Sequence, residues 1–205
     1  MRKLATIQKI AEIKAIPDAD RIVAYRVNGW WIVDQKDKYK VDDLVVYCEI
    51  DSWIPNDIAP FLSKGKEPRE FNGVKGEKLR TIKLKKQISQ GLILPLSIIP
   101  NIPEAELYFD KEGNIGSDVS ELLGIQKWEA PVPAQLAGQM KGNFPSRIPK
   151  TDQERVQNIP AIIEASYNTG RTFEVTEKLE GSSMTCYLLT NDEGKLEFGV
   201  CSEIS

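Results

Sequence analysis

One short segment gathers the residue types that covalent chemistry needs: Glu177-Lys178-Leu179-Glu180-Gly181-Ser182-Ser183. A lysine ends an expected strand, a carboxylate follows two residues later, and a glycine permits a sharp turn into the next strand. A lysine desolvated near other cations gives up its proton more readily, and its amine becomes a nucleophile. Glu180, at i+2, shares a strand face with Lys178, where it could help to hold a metal or a ribose hydroxyl. Gly181 lets the backbone pass close to a ligand without a Cβ clash. A plain hairpin carrying a surface lysine also produces K-x-E-G, so the pattern alone leaves both readings open. What is missing narrows the chemistry. The chain has no histidine, which removes Ser-His-Asp and Cys-His catalysis, histidine zinc sites and imidazole proton shuttles. Cys48, Cys186 and Cys201 stand far apart with no CxxC pair, which fits buried strand cysteines better than a zinc ribbon or a redox dithiol.

A second concentration of chemistry is electrostatic. The chain as a whole carries 27 basic and 30 acidic residues, net −3, so it is no general polycation. Residues 64–86 are different: Lys64, Lys66, Arg69, Lys75, Lys78, Arg80, Lys83, Lys85 and Lys86 face only Glu67, Glu70 and Glu77. A basic segment in an acidic chain reads as a local phosphate site, with Lys78, Arg80, Lys83, Lys85 and Lys86 as the candidate nucleic-acid contacts. The competing reading is a solvated loop and an edge strand guarded by lysines. Tyr25, Trp30 and Trp31 could stack on bases, although strand aromatics more often fill a core. Lys9, Glu12 and Lys14 interrupt the N-terminal apolar residues, so no signal-peptide core is present there. No apolar run reaches the ~18 residues of a membrane span. The expectation is a cytoplasmic, or at least reducing, compartment with no membrane partner.

The elements that must position these residues are mostly strands. Ile7, Ile10, Ile13 and Ile16 frame an extended opening segment. Arg21–Val27, Trp30–Val33, Leu44–Ile50, Leu79–Leu84 and Gly91–Leu94 then alternate with Asn-Gly, Asp-Asp and Gly/Pro clusters. Short Val/Ile-rich runs at this spacing predict a small closed barrel of the oligonucleotide/oligosaccharide-binding (OB) type over residues 1–98. Residues 99–150 are rich in proline, with one helix-like piece at Ser117–Leu123, and read as a structured linker. A second unit is expected over 151–205. Thr151-x-x-Glu154 is a capping box, and Pro160 either breaks that helix or starts the next. The runs Arg171–Leu179, Ser183–Thr190 and Leu196–Cys201 follow as strands, the last two joined by a turn at Asn191–Gly194. The predicted class is mainly β with short helices (α+β). With 41% apolar residues in 205, a sizeable core is available. Nothing in the sequence indicates an oligomeric state.

The segment EKLEGSS resembles the K-x-D-G signature of ATP-dependent ligases and capping enzymes. The likeness extends to IPDADRI, GWWIV, YKVDDLVVYCEIDSWIP, LRTIKLKKQISQGLILPL, GSDVSELLGIQKWEAPVP and FPSRIPKTDQERVQNIP. Together these resemble ATP-dependent RNA ligases that carry an N-terminal OB domain ahead of a nucleotidyltransferase (ATP-grasp-like ligase) domain. The resemblance implies ATP with Mg²⁺ or Mn²⁺ as cofactors and RNA, nicked or broken, as partner. It implies that Lys178 is the adenylyl acceptor and that Glu177, Arg155, Glu180 and Gly181 line the nucleotide site, with Glu180 toward the metal. For Arg155, a helix-surface arginine paired within its own helix is the alternative. The sequence departs from the pattern in three places. Glu180 replaces the aspartate, Glu203 follows Cys201-Ser202 where the pattern has an arginine, and Ser205 comes before the expected downstream glutamate and K-x-K pair. The resemblance therefore implies a chain that stops within the catalytic domain. A non-catalytic OB-type RNA- or tRNA-binding module is the other reading, and IPDADRI and the lysine-rich segment fit it as well. A purely structural β-domain would leave EKLEGSS unexplained.

Overall fold

The computed structural model describes residues 3–99, 115–130, 144–145, 147–148, 154–177, 183–191 and 193–203. The chain divides into two compact units: residues 1–128 with 154–169, and residues 129–153 with 170–205.

The first unit is built on β1 (Ala5–Ala15), β2 (Ile22–Val27), β3 (Trp30–Gln35), β4 (Leu44–Cys48) and β5 (Ser52–Pro55). Then come β6 (Arg69–Phe71), β7 (Val74–Lys78), β8 (Ile82–Leu84), β9 (Gln87–Ser89), β10 (Leu92–Pro95) and β11 (Gln126–Lys127). The main sheet runs β10-β4-β1-β2-β3. Strand β1 serves two neighbours. Its first half pairs with β4 and its second with β2, and a register shift between Ile10 and Glu12 marks the change. Such a bulge bends a long strand around a corner, as a small barrel requires. The opposite edge closes where Gln90 N–H donates to Trp31 O at 2.9 Å and Ser89 Oγ accepts Val33 N–H at 2.9 Å.

Alternation along these strands fills the interior. Ile10, Tyr25, Val27, Trp30, Ile32, Val45, Tyr47 and Ile93 form one buried cluster. Leu4, Ile7, Val46, Cys48, Ile54, Leu79 and Leu94 form another. A smaller sheet, β11-β5-β7-β6, adjoins the second cluster.

The expected strand Leu79–Leu84 is divided. Strand β7 ends at Lys78, and buried Leu79 bonds through its N–H to Ser52 O and through its C=O to Asp51 N–H. That anchor turns the chain, and β8 starts a separate hairpin with β9. Ser117–Leu123 is not a helix either. Asp118 Oδ1 takes the Ser120 N–H and hydroxyl, while Ser120 Oγ accepts the N–H groups of Leu4 and Ala5. Short polar side chains bond the local backbone in competition with a helix, and here the open edge of β1 takes up the remaining bonds. Val119, Leu123 and Ile125 thereby enter the barrel core.

Of the expected capping box, Thr151 lies outside the described residues. Val156–Asn158 form a 3₁₀ turn, and helix α1 (Pro160–Asn168) starts with proline in its first turn. This stretch packs with the first unit, although the sequence pattern groups it with the second. In the second unit, residues 171–177 form no strand, against expectation, and Lys178 and Leu179 lie outside the described residues. Strands β12 (Ser183–Thr190) and β13 (Leu196–Glu203) form the expected hairpin. One face of it carries Met184, Cys186, Leu188, Leu196, Phe198 and Val200, all exposed. On the other face the Tyr187 ring lies against Gly199, where a Cβ would fall 2.2 Å from Cζ.

Candidate functional site

The five cations proposed from sequence separate into two environments. Lys78 is engaged: its side chain is 16% exposed, Nζ lies 3.1 Å from Asp51 Oδ1, and it stands 3.6 Å from the centroid of Trp128. A lysine so held is poorly placed to release a carboxylate for a phosphate. Arg80, Lys83, Lys85 and Lys86 are exposed and have no carboxylate partner among the described residues. Lys83 is on β8 opposite Ile88, and Lys85 and Lys86 form the two-residue tip of the β8–β9 hairpin. Both tip lysines have positive φ, 47° and 67°. This is the backbone of a tight primed turn, for which glycine or asparagine is usual. The tip therefore holds two adjacent charges in a conformation that costs lysine energy. Ile82, Leu84 and Ile88 flank it, also exposed. Of the aromatics, Tyr25 and Trp30 are core residues, and only Trp31 faces outward, with Lys14 Nζ 6.0 Å from its ring centroid.

Of the nucleotide-site candidates, Lys178, Glu180 and Gly181 lie outside the described residues, and Glu177 is exposed. Arg155 is not paired within a helix. It precedes the 3₁₀ turn, with Cζ 5.7 Å from the Trp30 ring centroid and Nη2 4.0 Å from Asp51 Oδ2. Three residues on, Asn158 makes a network that the sequence did not announce. Its Oδ1 accepts Trp30 Nε1–H at 2.5 Å, and Nδ2 donates to Glu49 Oε1 at 2.5 Å and Glu154 Oε1 at 2.7 Å. Glu49 is buried. Gly29 N–H donates to Gln157 O at 2.8 Å, and a Cβ on Gly29 would fall 2.8 Å from Gln157 Cα. Only glycine lets the β2–β3 turn meet this segment. The single sequence signal was Asn-Gly at the turn; nothing in it named Gln157 or Asn158 as the partner.

Other reactive groups are disarmed by burial. Desolvation pushes the Cys48 thiol up to about 12, so it stays protonated. Burial also raises the Tyr25 and Tyr39 hydroxyls. Among the described residues no group of three or more Asp, Glu or Cys could hold a metal ion, and no helix is long and apolar enough to cross a membrane.

A family model described as an OB-fold domain matches residues 4–96. The first domain is an OB fold. Beyond it, the likeness covers almost the whole chain. The RNA ligase of Naegleria gruberi solved with PPi is 44% identical, with a TM-score of 0.74, over 99% of this chain and 56% of its own. Its glutamate-to-alanine mutant with AMP and Mn is 46% identical, with a TM-score of 0.74, over 98% and 56%. A lysine-to-alanine mutant of that ligase with ATP and Mn is 45% identical, with a TM-score of 0.73, over the same shares. Among curated proteins none matches. The chain spans little more than half the length of the RNA ligase it matches. The resemblance to RNA ligases read from the sequence is matched by this similarity of the chain to a solved RNA ligase.

Proposed function

We propose that this chain supplies the OB domain and the nucleophile-bearing segment of an ATP-dependent RNA ligase. Similarity at 44–46% identity over 98–99% of the chain to an RNA ligase solved with ATP, AMP and PPi carries the reading. The Lys178 amine attacks the α-phosphorus of ATP. A nitrogen–phosphorus bond forms, the bond to the bridging oxygen breaks, and pyrophosphate leaves. AMP then passes to the 5′-phosphate of an RNA end, and a 3′-hydroxyl displaces it to close the strand. Mg²⁺ or Mn²⁺ offsets phosphate charge when bound. Glu177, Glu180, Gly181 and Arg155 are assigned to the nucleotide, Glu180 also to the metal. Lys83, Lys85, Lys86 and Arg80 are assigned to the RNA backbone, and Lys78 holds its place beside them through Asp51. The three free thiols support a cytoplasmic location.

The test is label transfer. With α-labelled ATP and Mn²⁺, a ligase containing this sequence together with a downstream glutamate and K-x-K pair should acquire covalent AMP at Lys178, mapped by peptide mass spectrometry. Lys178→Ala should abolish it. Label on another lysine would overturn the Lys178 assignment. No label on any lysine, with RNA still bound, would favour the non-catalytic OB module.

A further inference from the structure

The first unit is left after Trp128 and re-entered at Glu154. Both points meet the same residue. Asp51 sits in a left-handed conformation, φ 66°, at the turn between β4 and β5. Its N–H donates to Leu79 O at 2.9 Å, and its C=O accepts the Trp128 N–H at 2.9 Å. Its two carboxylate oxygens then face two different cations, Oδ1 toward Lys78 at 3.1 Å and Oδ2 toward Arg155 at 4.0 Å. Each cation lies on an indole: Lys78 over Trp128 at 3.6 Å and Arg155 over Trp30 at 5.7 Å. A row results, Trp128–Lys78–Asp51–Arg155–Trp30, with the single carboxylate at its centre. Trp30 is tied further to the re-entering segment through Asn158.

We propose that Asp51 is a clasp: one carboxylate that pins the exit and the re-entry of the 129–153 excursion to the barrel as a coupled pair. The backbone supports this use. A left-handed residue at a tight turn brings its own N–H, C=O and side chain to bear on three neighbours at once, and Asp is among the few non-glycine residues that tolerate it. The charges support it too. Two cations share one carboxylate, so loss of either leaves the other more strongly attracted, and the two ends cannot respond independently. The clasp does not depend on the ligase reading, because every contact that makes it lies among residues of the first unit. Under that reading Asp51 is also a positioning residue for Arg155.

The test uses the full chain and its four tryptophans, whose indole N–H signals are separable by NMR. Lys78→Met should move the Trp128 signal, its direct neighbour, and also the Trp30 signal at the other end. In an Asp51→Asn background, Lys78→Met should move Trp128 alone. Asparagine tolerates positive φ at least as well as aspartate, so this variant keeps the turn while losing the charge. Trypsin cleavage at Lys141, Arg147 or Lys150 should speed up in Asp51→Asn by about threefold, a factor within the range for a partly exposed ion pair. A Trp30 signal unmoved by Lys78→Met, or moved equally in both backgrounds, would overturn the coupling. Unchanged cleavage in Asp51→Asn would overturn the pinning.

Discussion

Replacing Asn158 by alanine removes three hydrogen bonds made by one side-chain amide. Trp30 Nε1–H loses its acceptor at 2.5 Å, and buried Glu49 loses a donor at 2.5 Å. Glu154, exposed to water, loses a third bond at 2.7 Å. A neutral bond is worth about 1 kcal/mol net and one to a charged group about 1.5–3 kcal/mol. Solvent screens the Glu154 bond, so little is assigned to it. The destabilisation expected for Asn158→Ala is therefore about 3 kcal/mol. All four tryptophans lie within residues 1–128, so urea unfolding followed by tryptophan fluorescence reports on the barrel. The midpoint should fall with m unchanged, and the Trp30 contribution to the native spectrum should shift. Asn158→Asp is the sharper perturbation. It sets a third carboxylate against Glu49 and Glu154, so it should be worse than alanine at neutral pH. A destabilisation under about 0.5 kcal/mol for alanine, a size typical of plain surface changes, would refute the network as a source of stability.

Further outcomes follow from the same geometry. Replacing Lys83, Lys85 and Lys86 together by alanine should weaken RNA binding and flatten its salt dependence by about 0.7–0.9 log units per decade for each phosphate deprived of its cation; unchanged affinity and slope would reduce the hairpin to a solubility device. Gly91→Ala should cost more than about 3 kcal/mol, or prevent folding, because φ is 119° and the new Cβ would lie 2.3 Å from the Tyr47 ring; near-normal melting would contradict the packing. Iodoacetamide should modify exposed Cys186 well before buried Cys48, whose thiol is pushed up to about 12. Because the folded state keeps that proton longer than the unfolded one, stability should be level below the ordinary thiol value of 9.0 and fall as pH rises from there toward 12, by roughly 1.4 kcal/mol per unit; early Cys48 labelling in native protein would defeat this.

Local pattern reached a long way in the barrel. Apolar residues alternating with period two, cut by Asn-Gly and Asp-Asp, placed β1 to β4 and β10 within a residue or two, because both the alternation and the turns are local properties. The same logic failed where a residue's partner was distant in sequence. Leu79–Leu84 reads as one strand, yet burial of Leu79 against Ser52 and Asp51 bends it into two. Ser117–Leu123 reads as a helix start, yet the free edge of β1 offers its backbone better bonds. Arg171–Glu177 alternates like a strand, but it joins no ladder among the described residues.

The chemistry divides along the same line. Composition by itself excluded histidine mechanisms, resemblance of EKLEGSS to a known signature singled out Lys178, and charge clustering marked residues 64–86, since each depends only on which residues are adjacent in the chain. Tertiary structure decided how the cations are used. It drew Lys78 away from the free cluster onto Asp51 and Trp128, set Arg155 against Trp30, and joined Asn158 to Glu49 across 109 residues of sequence. Charge and periodicity are properties of a segment, whereas the partner that neutralises a charge is a property of the closed barrel, and only folding brings the two together.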